Sequence, residues 1–132
     1  MIRVLLVEDN AIVRQALGDI IASEEGFEVI GLAENGLIAL DMLNEGLQAD
    51  VILADLNMPG MDGIKLTEAL AAQSDGFKVI ILTMHSKATY LDRAILAGAR
   101  GYLLKSGDVD ELFTAIKEVS AGKIFIGADM GE

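Results

Sequence analysis

The chain has 132 residues, an apolar fraction of 52% and no cysteine. This length allows one domain with its own hydrophobic core, and the lack of cysteine excludes disulfide bonds and thiolate metal sites. The formal net charge of −11 repels phosphate backbones, so we expect this chain alone to bind no nucleic acid.

The distribution of apolar residues argues against a membrane protein. No apolar run approaches the roughly 18 to 20 residues that a membrane helix needs. The first run is interrupted early by Glu8 and Asp9, which does not fit a secretory signal. We therefore expect a cytoplasmic protein without membrane association.

Five short and almost continuously apolar blocks predict strands that are buried on both faces of a parallel sheet. In chain order they are Ile2–Val7, Phe27–Ala33, Val51–Ala54, Lys78–Leu82 and Gly101–Leu104.

The segments that follow these blocks have the apolar spacing of helices. In the first segment two adjacent rows predict a stripe that lies against the sheet, namely Ile12-Ala16-Ile20 and Val13-Leu17-Ile21. The corresponding positions of the other four are Ala39, Leu40, Leu43 and Leu47; Leu66, Ala69 and Leu70; Leu91, Ala94 and Ile95; and Val109, Leu112, Ile116 and Val119.

Polar residues and glycines mark the helix ends. Asp9 or Asn10 could cap the first helix, and Asp108 with Glu111 has the spacing of a capping box for the fifth. Glycines are expected to end three of the helices; these are Gly46, Gly98 and Gly122.

Alternating strands and helices predict an α/β domain, with helices on both faces of a doubly wound parallel sheet. The periodicity fades after Ile126. We therefore assign residues 1–122 to the domain and residues 123–132 to a tail, or to the start of a linker.

Functional side chains follow four of the predicted strands. Glu8 and Asp9 follow the first strand, Asp55 the third, Thr83 the fourth and Lys105 the fifth. Since ligands of open α/β sheets bind beyond the carboxyl ends of the strands, we expect these residues to converge. Each alone also fits ordinary cap or turn chemistry, but their joint occurrence favours a functional site.

The chemistry of this set points to phosphoryl transfer. Neighbouring carboxylates repel one another unless a cation joins them, and an all-oxygen ligand set favours Mg²⁺, or Mn²⁺, over zinc or copper. Asp55 can act as a nucleophile that becomes an acyl phosphate. Lys105 and Thr83 can then neutralise or bind the phosphoryl oxygens.

With these motifs in place, the sequence resembles the receiver domains of bacterial two-component response regulators. The resemblance is carried by Val4-Leu5-Leu6-Val7-Glu8-Asp9-Asn10, by Asp55-Leu56-Asn57-Met58-Pro59-Gly60-Met61-Asp62-Gly63, by Leu82-Thr83 and by Tyr102-Leu103-Leu104-Lys105. The run from Ala97 to Lys105 resembles the NarL/LuxR-type subfamily in particular.

The resemblance implies a flavodoxin-like (CheY-like) fold with strand order 2-1-3-4-5, and phosphorylation of Asp55 by a sensor histidine kinase. Asp9 and Asp55 would bind Mg²⁺ directly, Glu8 would act through water, and Asn57 would offer its backbone carbonyl. Thr83 would move toward the phosphoryl group, and Lys105 would pair with it.

The resemblance also implies an output mechanism. Tyr102 occupies the position of an aromatic residue that changes rotamer on activation, although an ordinary strand aromatic would look the same. Phosphorylation is expected to promote a homodimer through the fourth helix, fifth strand and fifth helix. A DNA-binding domain beyond this chain would make the protein a transcriptional regulator. The alternative is a stand-alone receiver that acts through protein–protein contacts.

Two positions next to the motifs leave questions open. Ser106 follows Lys105 where many receivers have proline. His85 is the only histidine of the chain; it is either an exposed loop residue or a group that controls water access to the acyl phosphate.

Three other classes of protein remain to be distinguished from a receiver. An electron carrier of the flavodoxin type would need a phosphate-binding loop where this chain has Glu8 and Asp9. A phosphatase of the haloacid dehalogenase type would need a second aspartate where it has Asn57. An interaction module with a degenerate site is the third. The expected receiver is a switch that catalyses only its own phosphorylation and dephosphorylation, and not an enzyme.

Overall fold

A computed structural model of the chain describes residues 1–74, 76–84, 88–105 and 107–127. The strands are β1 (Ile2–Val7), β2 (Phe27–Ala33), β3 (Val51–Asp55), β4 (Val79–Thr83), β5 (Gly101–Leu104) and β6 (Phe125–Ile126). The helices are α1 (Ala11–Ser23), α2 (Gly36–Asn44), α3 (Gly63–Gln73), α4 (Ala88–Ala97) and α5 (Val109–Ser120). His85 and Ser106, on which two questions were left open, lie outside the described residues.

The strands form one parallel sheet in the order β2-β1-β3-β4-β5-β6. The predicted doubly wound fold and the order 2-1-3-4-5 are confirmed. The strand order reverses at β1, which pairs with β2 on one side and β3 on the other. A crevice for ligands is therefore expected outside the carboxyl ends of β1 and β3.

The sheet separates two apolar layers. Side chains of β3 alternate between them, with Ile52 and Ala54 packing among the residues of α2, α3 and α4. Val51 and Leu53 pack on the opposite face, among the residues of α1 and α5. Both faces of the inner strands are covered, which is why the strand sequences are apolar without alternation.

Polar caps fix where the helices begin. Asn10, and not Asp9, caps α1, because its Oδ1 accepts from the backbone N–H groups of Ile12 and Val13 at 2.9 and 3.0 Å. This leaves the Asp9 side chain available at the sheet edge. Asp108 caps α5 by accepting from the Asp110 N–H at 3.0 Å.

The stripe predicted for α1 is too wide by one row. Ile12 is 82% exposed and Ala16 is exposed, whereas Ile21 is fully buried. Gly18 is also buried, and it lies beside the row Val13-Leu17-Ile21 on the side away from the row Ile12-Ala16-Ile20; a Cβ at Gly18 would stand 3.4 Å from the Leu32 side chain of β2. The buried face of α1 is therefore centred between Gly18 and the row Val13-Leu17-Ile21, which leaves the row Ile12-Ala16-Ile20 turned toward solvent.

A short sixth strand, which was not among the predicted strands, covers the edge of β5. The Phe125 N–H donates to Arg100 O and the Gly127 N–H to Tyr102 O, both at 2.9 Å. Two residues are too short for a periodic signal. The domain boundary at residue 122 stays a prediction, and the sheet itself extends to Ile126.

Among the described residues, every helix is too short or too polar to cross a bilayer.

Candidate functional site

The register of the sheet brings four strand ends to one edge. Val7 of β1 pairs with Ala54 of β3, Asp55 pairs with Leu82 of β4, and Thr83 pairs with Leu104 of β5. The residues at or just after these positions are Glu8, Asp9, Asp55, Thr83 and Lys105. The structure therefore places the residues singled out from the sequence at one edge of the sheet.

Three carboxylates form the centre of this site. Glu8, Asp9 and Asp55 each offer an oxygen, and these oxygens lie within 4.8 Å of one another. Glu8 and Asp55 are buried, with exposed fractions of 1% and 6%, whereas Asp9 is exposed. The cluster thus combines two carboxylates removed from water with one at the entrance.

A single ammonium group bridges the two buried carboxylates. Lys105 Nζ lies 2.9 Å from Asp55 Oδ2, where it donates a hydrogen bond, and 2.5 Å from Glu8 Oε1. The second contact is an ion pair without good hydrogen-bond geometry, so Glu8 Oε1 remains a buried oxygen without a hydrogen bond. One lysine thus neutralises part, but not all, of the negative charge.

The pKa values reflect this incomplete compensation. Burial raises the pKa of Asp55 and of Glu8, and their contacts with the Lys105 ammonium only partly offset this rise. For Lys105, burial alone lowers the pKa, but the contacts with Glu8 and Asp55 outweigh it and leave the pKa raised. The site therefore favours an additional cation.

The oxygens present fit a hard divalent ion. The cluster is made of carboxylates alone, and Mg²⁺ is usually held by one or two carboxylates, with water and phosphate oxygens completing its shell. An exposed Asp9 beside a buried Asp55 provides such a pair, one of them reachable from solvent. The donor set thus suits Mg²⁺, or Mn²⁺, better than a soft metal.

Thr83 and Tyr102 lie on the same face of the sheet, on the neighbouring strands β4 and β5. Both residues are fully buried. Burial raises the pKa of the Tyr102 phenol, and the interaction with the Thr83 hydroxyl acts in the opposite direction. Tyr102 Oη makes no hydrogen bond of good geometry among the described residues. The ring therefore occupies an inward position with an incompletely satisfied hydroxyl.

The loop after Asp55 is held by the backbone. The Leu56 N–H donates to Leu82 O at 2.8 Å, and the Gly63 N–H donates to Leu56 O at 3.2 Å. The Asn57 N–H makes a long contact of 3.4 Å with Asp55 Oδ1, and the Asn57 side chain is exposed. The loop after Asp55 is thus fixed by backbone hydrogen bonds at its start and at its end, while Asp55 Oδ1 accepts only a weak hydrogen bond.

Gly63 supports this loop in a way that the sequence analysis missed. A Cβ at Gly63 would stand 2.5 Å from the carbonyl oxygen of Asp55. Gly63 is the first residue of α3, after its cap Asp62, whose Oδ1 accepts from the Lys65 N–H at 2.8 Å. A glycine at the first position of a helix that follows a functional loop was the available signal.

Arg14 is a second residue that the sequence analysis missed. Its Nη1 reaches back from α1 and donates to the backbone carbonyl of Glu8 at 2.8 Å. The apolar spacing of α1 gives no sign of this contact, because a long polar side chain can point along the helix as well as outward.

The site residues and the doubly wound sheet together define a receiver. The chain belongs to the response regulator receiver domain family, whose model matches residues 4–117. Its relatives and structural neighbours are regulators of the NarL/LuxR type, as the resemblance predicted.

Curated relatives are longer than this chain. It is 42% identical over 123 residues to the uncharacterized transcriptional regulatory protein YvfU of Bacillus subtilis (strain 168), covering 93% of this chain and 61% of that protein. It is 34% identical to the response regulator GacA of Pseudomonas aeruginosa, covering 100% of this chain and 61% of GacA. The chain therefore spans about three fifths of the length of these two relatives.

Solved structures match the fold closely. A two-component response regulator of the LuxR family from Aurantimonas sp. SI85-9A1 superposes with a TM-score of 0.92 at 32% identity, covering 97% of this chain and 91% of that one. The isolated receiver domain of RcsB from Salmonella enterica serovar Typhimurium, determined with the phosphomimetic BeF3-, gives 0.86 at 27% identity and covers 97% and 94%. The family match decides against the flavodoxin-type carrier and the haloacid dehalogenase-type phosphatase.

Proposed function

We propose that this receiver is a phosphorylation-dependent switch of a two-component phosphorelay, in which Asp55 accepts a phosphoryl group from a sensor histidine kinase. The observation that carries the proposal is the bridged acidic cluster. Asp55 is buried at a strand end, within 4.8 Å of the oxygens of Glu8 and Asp9, and within 2.9 Å of Lys105 Nζ.

The transfer is a displacement at phosphorus. A carboxylate oxygen of Asp55 forms a bond to phosphorus as the bond from phosphorus to the donor's histidine nitrogen breaks, and the nitrogen keeps the electron pair. Lys105 Nζ exchanges its contact with Asp55 Oδ2 for a phosphoryl oxygen, and remains near Glu8 Oε1, 2.5 Å away before transfer. The Thr83 hydroxyl donates to a second phosphoryl oxygen.

Mg²⁺, or Mn²⁺ in its place, would supply a positive charge that neutralises the phosphoryl oxygens during transfer. In our proposal Asp9 and Asp55 bind the ion directly, and Glu8 acts through water. The backbone carbonyl of Asn57 supplies a further ligand. This assignment is supported by the mutual distances of the three carboxylates, and by the burial that raises the pKa of Glu8 and Asp55.

The experiment is intact-mass spectrometry after incubation with acetyl phosphate, with and without Mg²⁺. We expect one phosphoryl adduct that requires Mg²⁺, forms in wild type and is absent in Asp55→Asn. Asp50→Asn is the matched control, since Asp50 lies at the opposite end of the sheet; it should accept the adduct as wild type does. An adduct that survives in Asp55→Asn, or none in wild type, contradicts the proposal and leaves an interaction module with a degenerate site.

Thr83 and Tyr102 would transmit the modification. Movement of the Thr83 hydroxyl toward the phosphoryl group opens space beside the fully buried Tyr102 ring. A buried hydroxyl without good hydrogen bonding favours an alternative rotamer. In Tyr102→Ala, self-association should no longer depend on phosphorylation; an unchanged dependence makes Tyr102 an ordinary strand aromatic.

We propose homodimerisation on phosphorylation through the face of α4, β5 and α5. Support comes from apolar side chains that are exposed on α4 and near β6. On α4, Leu96 is 88% exposed and Ile95 38%; near β6, Ile124 is 61% exposed and Ile126 38%. Because β6 pairs with the outer edge of β5, β6 would lie at the centre of this face. Analytical ultracentrifugation with beryllofluoride and Mg²⁺ should show a dimer that Leu96→Asp abolishes; a monomer in both proteins argues against the face.

The response beyond this chain is a further proposal. YvfU is named a transcriptional regulatory protein, and a structure of RcsB contains DNA. We infer that this receiver regulates transcription through a C-terminal DNA-binding domain outside the chain, in the cytoplasm, with residues 123–132 at the start of the linker. A stand-alone receiver is the alternative. In either case its chemistry is confined to its own phosphorylation and dephosphorylation, so it is a switch and not an enzyme.

A further inference from the structure

The connection between β1 and α1 is closed by a guanidinium group that the proposed chemistry does not use. Arg14 Nη1 donates to the backbone carbonyl of Glu8 at 2.8 Å. Among the described residues, Arg14 is thus the one side chain of α1 that donates a hydrogen bond to Glu8, the first residue of the acidic site.

This contact completes a ring of hydrogen bonds around the acidic pair. The Asn10 N–H donates to Glu8 Oε2 at 3.0 Å, and the Arg14 N–H donates to Asn10 O at 2.8 Å. The guanidinium then returns from Arg14 to Glu8. Asp9 lies inside this ring, so its backbone is held from both sides while its side chain remains exposed.

We infer that Arg14 is a positioning residue for the divalent ion, and that it acts by fixing the turn that presents Glu8 and Asp9. The inference rests on the proposed function, because it concerns the same ion. Groups that orient the ligands of a metal typically change its affinity by about 10-fold to 100-fold when they are removed.

A positioning role and a purely electrostatic role of Arg14 predict opposite changes in the affinity for Mg²⁺. A guanidinium bonded to the Glu8 backbone carbonyl carries a positive charge that repels an incoming cation. If charge alone mattered, removing Arg14 would strengthen Mg²⁺ binding. If Arg14 holds the turn, removing it weakens Mg²⁺ binding even though a nearby positive charge is lost.

The test is titration of Mg²⁺ by isothermal calorimetry on the whole chain. Arg14→Met keeps an unbranched apolar stem and removes the donors. We expect its Kd for Mg²⁺ to rise about tenfold. Arg93→Ala on α4, which removes the same charge from an exposed position, should leave the Kd unchanged. A Kd that stays the same or falls in Arg14→Met overturns the inference.

A second readout separates positioning from general damage. At saturating Mg²⁺, Arg14→Met should form the acetyl phosphate adduct at the wild-type rate, because only the affinity for the ion has changed. A rate that stays low at saturating Mg²⁺ overturns the inference.

Two further observations keep the test decisive. If Arg14→Met does not fold, Arg14→Leu, which also lacks a donor, takes its place, and an unchanged Kd there overturns the inference. If wild type itself binds no Mg²⁺ and accepts no phosphoryl group, the proposed function fails, and the inference fails with it. Normal wild-type binding with an unchanged Arg14 variant refutes the inference alone.

Discussion

The two ends of the parallel sheet hold charged side chains in opposite ways. At the amino end, Arg3 and Asp50 form a balanced pair: the Arg3 backbone N–H donates to Asp50 Oδ2 at 2.8 Å, and Nε and Nη2 donate to its two oxygens at 3.2 Å. At the carboxyl end, Glu8 and Asp55 share one ammonium group, that of Lys105, and Asp9 adds a third carboxylate beside them.

The pKa values of the aspartates at the two ends move in opposite directions. Hydrogen bonding to Arg3 lowers the pKa of Asp50, whereas burial raises the pKa of Asp55. The native structure therefore stabilises the ionised form of Asp50 and opposes that of Asp55. The same residue type thus serves stability at one end, and at the other end provides a site that attracts a cation.

The largest effect is expected from removing Lys105, the one ammonium group that contacts the acidic cluster among the described residues. Lys105→Met leaves two buried carboxylates without their cation, and breaking a buried ion pair from one side costs about 3 kcal/mol or more. Urea unfolding without divalent ions should show this loss, and Mg²⁺ should recover part of it. A variant as stable as wild type in both conditions would mean that Lys105 does not compensate the cluster.

A smaller effect is expected from crowding the loop that carries Asp55. In Gly63→Ala the new Cβ meets the Asp55 carbonyl at 2.5 Å, and overpacking of this kind costs about 1 to 3 kcal/mol. We expect lower stability and slower adduct formation. Both quantities can be followed by urea unfolding and intact mass.

The matched control is another helical glycine. Gly18→Ala places its Cβ 3.4 Å from the Leu32 side chain, an ordinary contact, and alanine is the better helix former. Its stability should equal or exceed that of wild type. If both variants lose stability equally, the close approach at Asp55 is not the cause.

The smallest effect is expected at the amino end and appears as a pH dependence. Because the pKa of Asp50 is lowered in the folded protein, its contribution to stability is fully present above the unfolded value of about 3.9. The contribution disappears as the pH falls through the lower folded value. Asp50→Asn should flatten this part of the curve of unfolding free energy against pH.

The comparison with wild type needs urea unfolding at several pH values from neutral to strongly acidic. If the curves for wild type and Asp50→Asn run parallel over the whole range, the Arg3–Asp50 pair does not depend on ionisation of Asp50.

The fold and the placement of most site residues were predictable because strand ends are easy to locate. Strands buried on both faces are apolar without interruption, so the polar residue that ends each block stands out. Glu8, Asp55, Thr83 and Lys105 are such residues, and a parallel sheet must bring them to one edge. Their roles in phosphoryl transfer stay predictions.

The details that escaped prediction depend on distances between elements. The periodicity of α1 allowed two rows, and because the buried Gly18 contributes no apolar side chain to the pattern, the sequence did not show which row faces the sheet. In the sequence, Arg14 looks like any other helical arginine. Its contact with Glu8 exists only because α1 begins at Ala11, shortly after β1 ends at Val7. The strand Phe125–Ile126 is too short to have a period.

The most direct test of the contrast between the two ends is the same substitution made at each. Urea unfolding at neutral pH without divalent ions should be compared for wild type, Asp55→Asn and Asp50→Asn. We expect Asp55→Asn to be at least as stable as wild type, since the substitution removes the charge of a buried carboxylate whose pKa is raised by burial. Asp50→Asn should be less stable. If Asp55→Asn loses as much stability as Asp50→Asn, or more, then the ionised Asp55 does not oppose folding and the two ends of the sheet do not differ in this way.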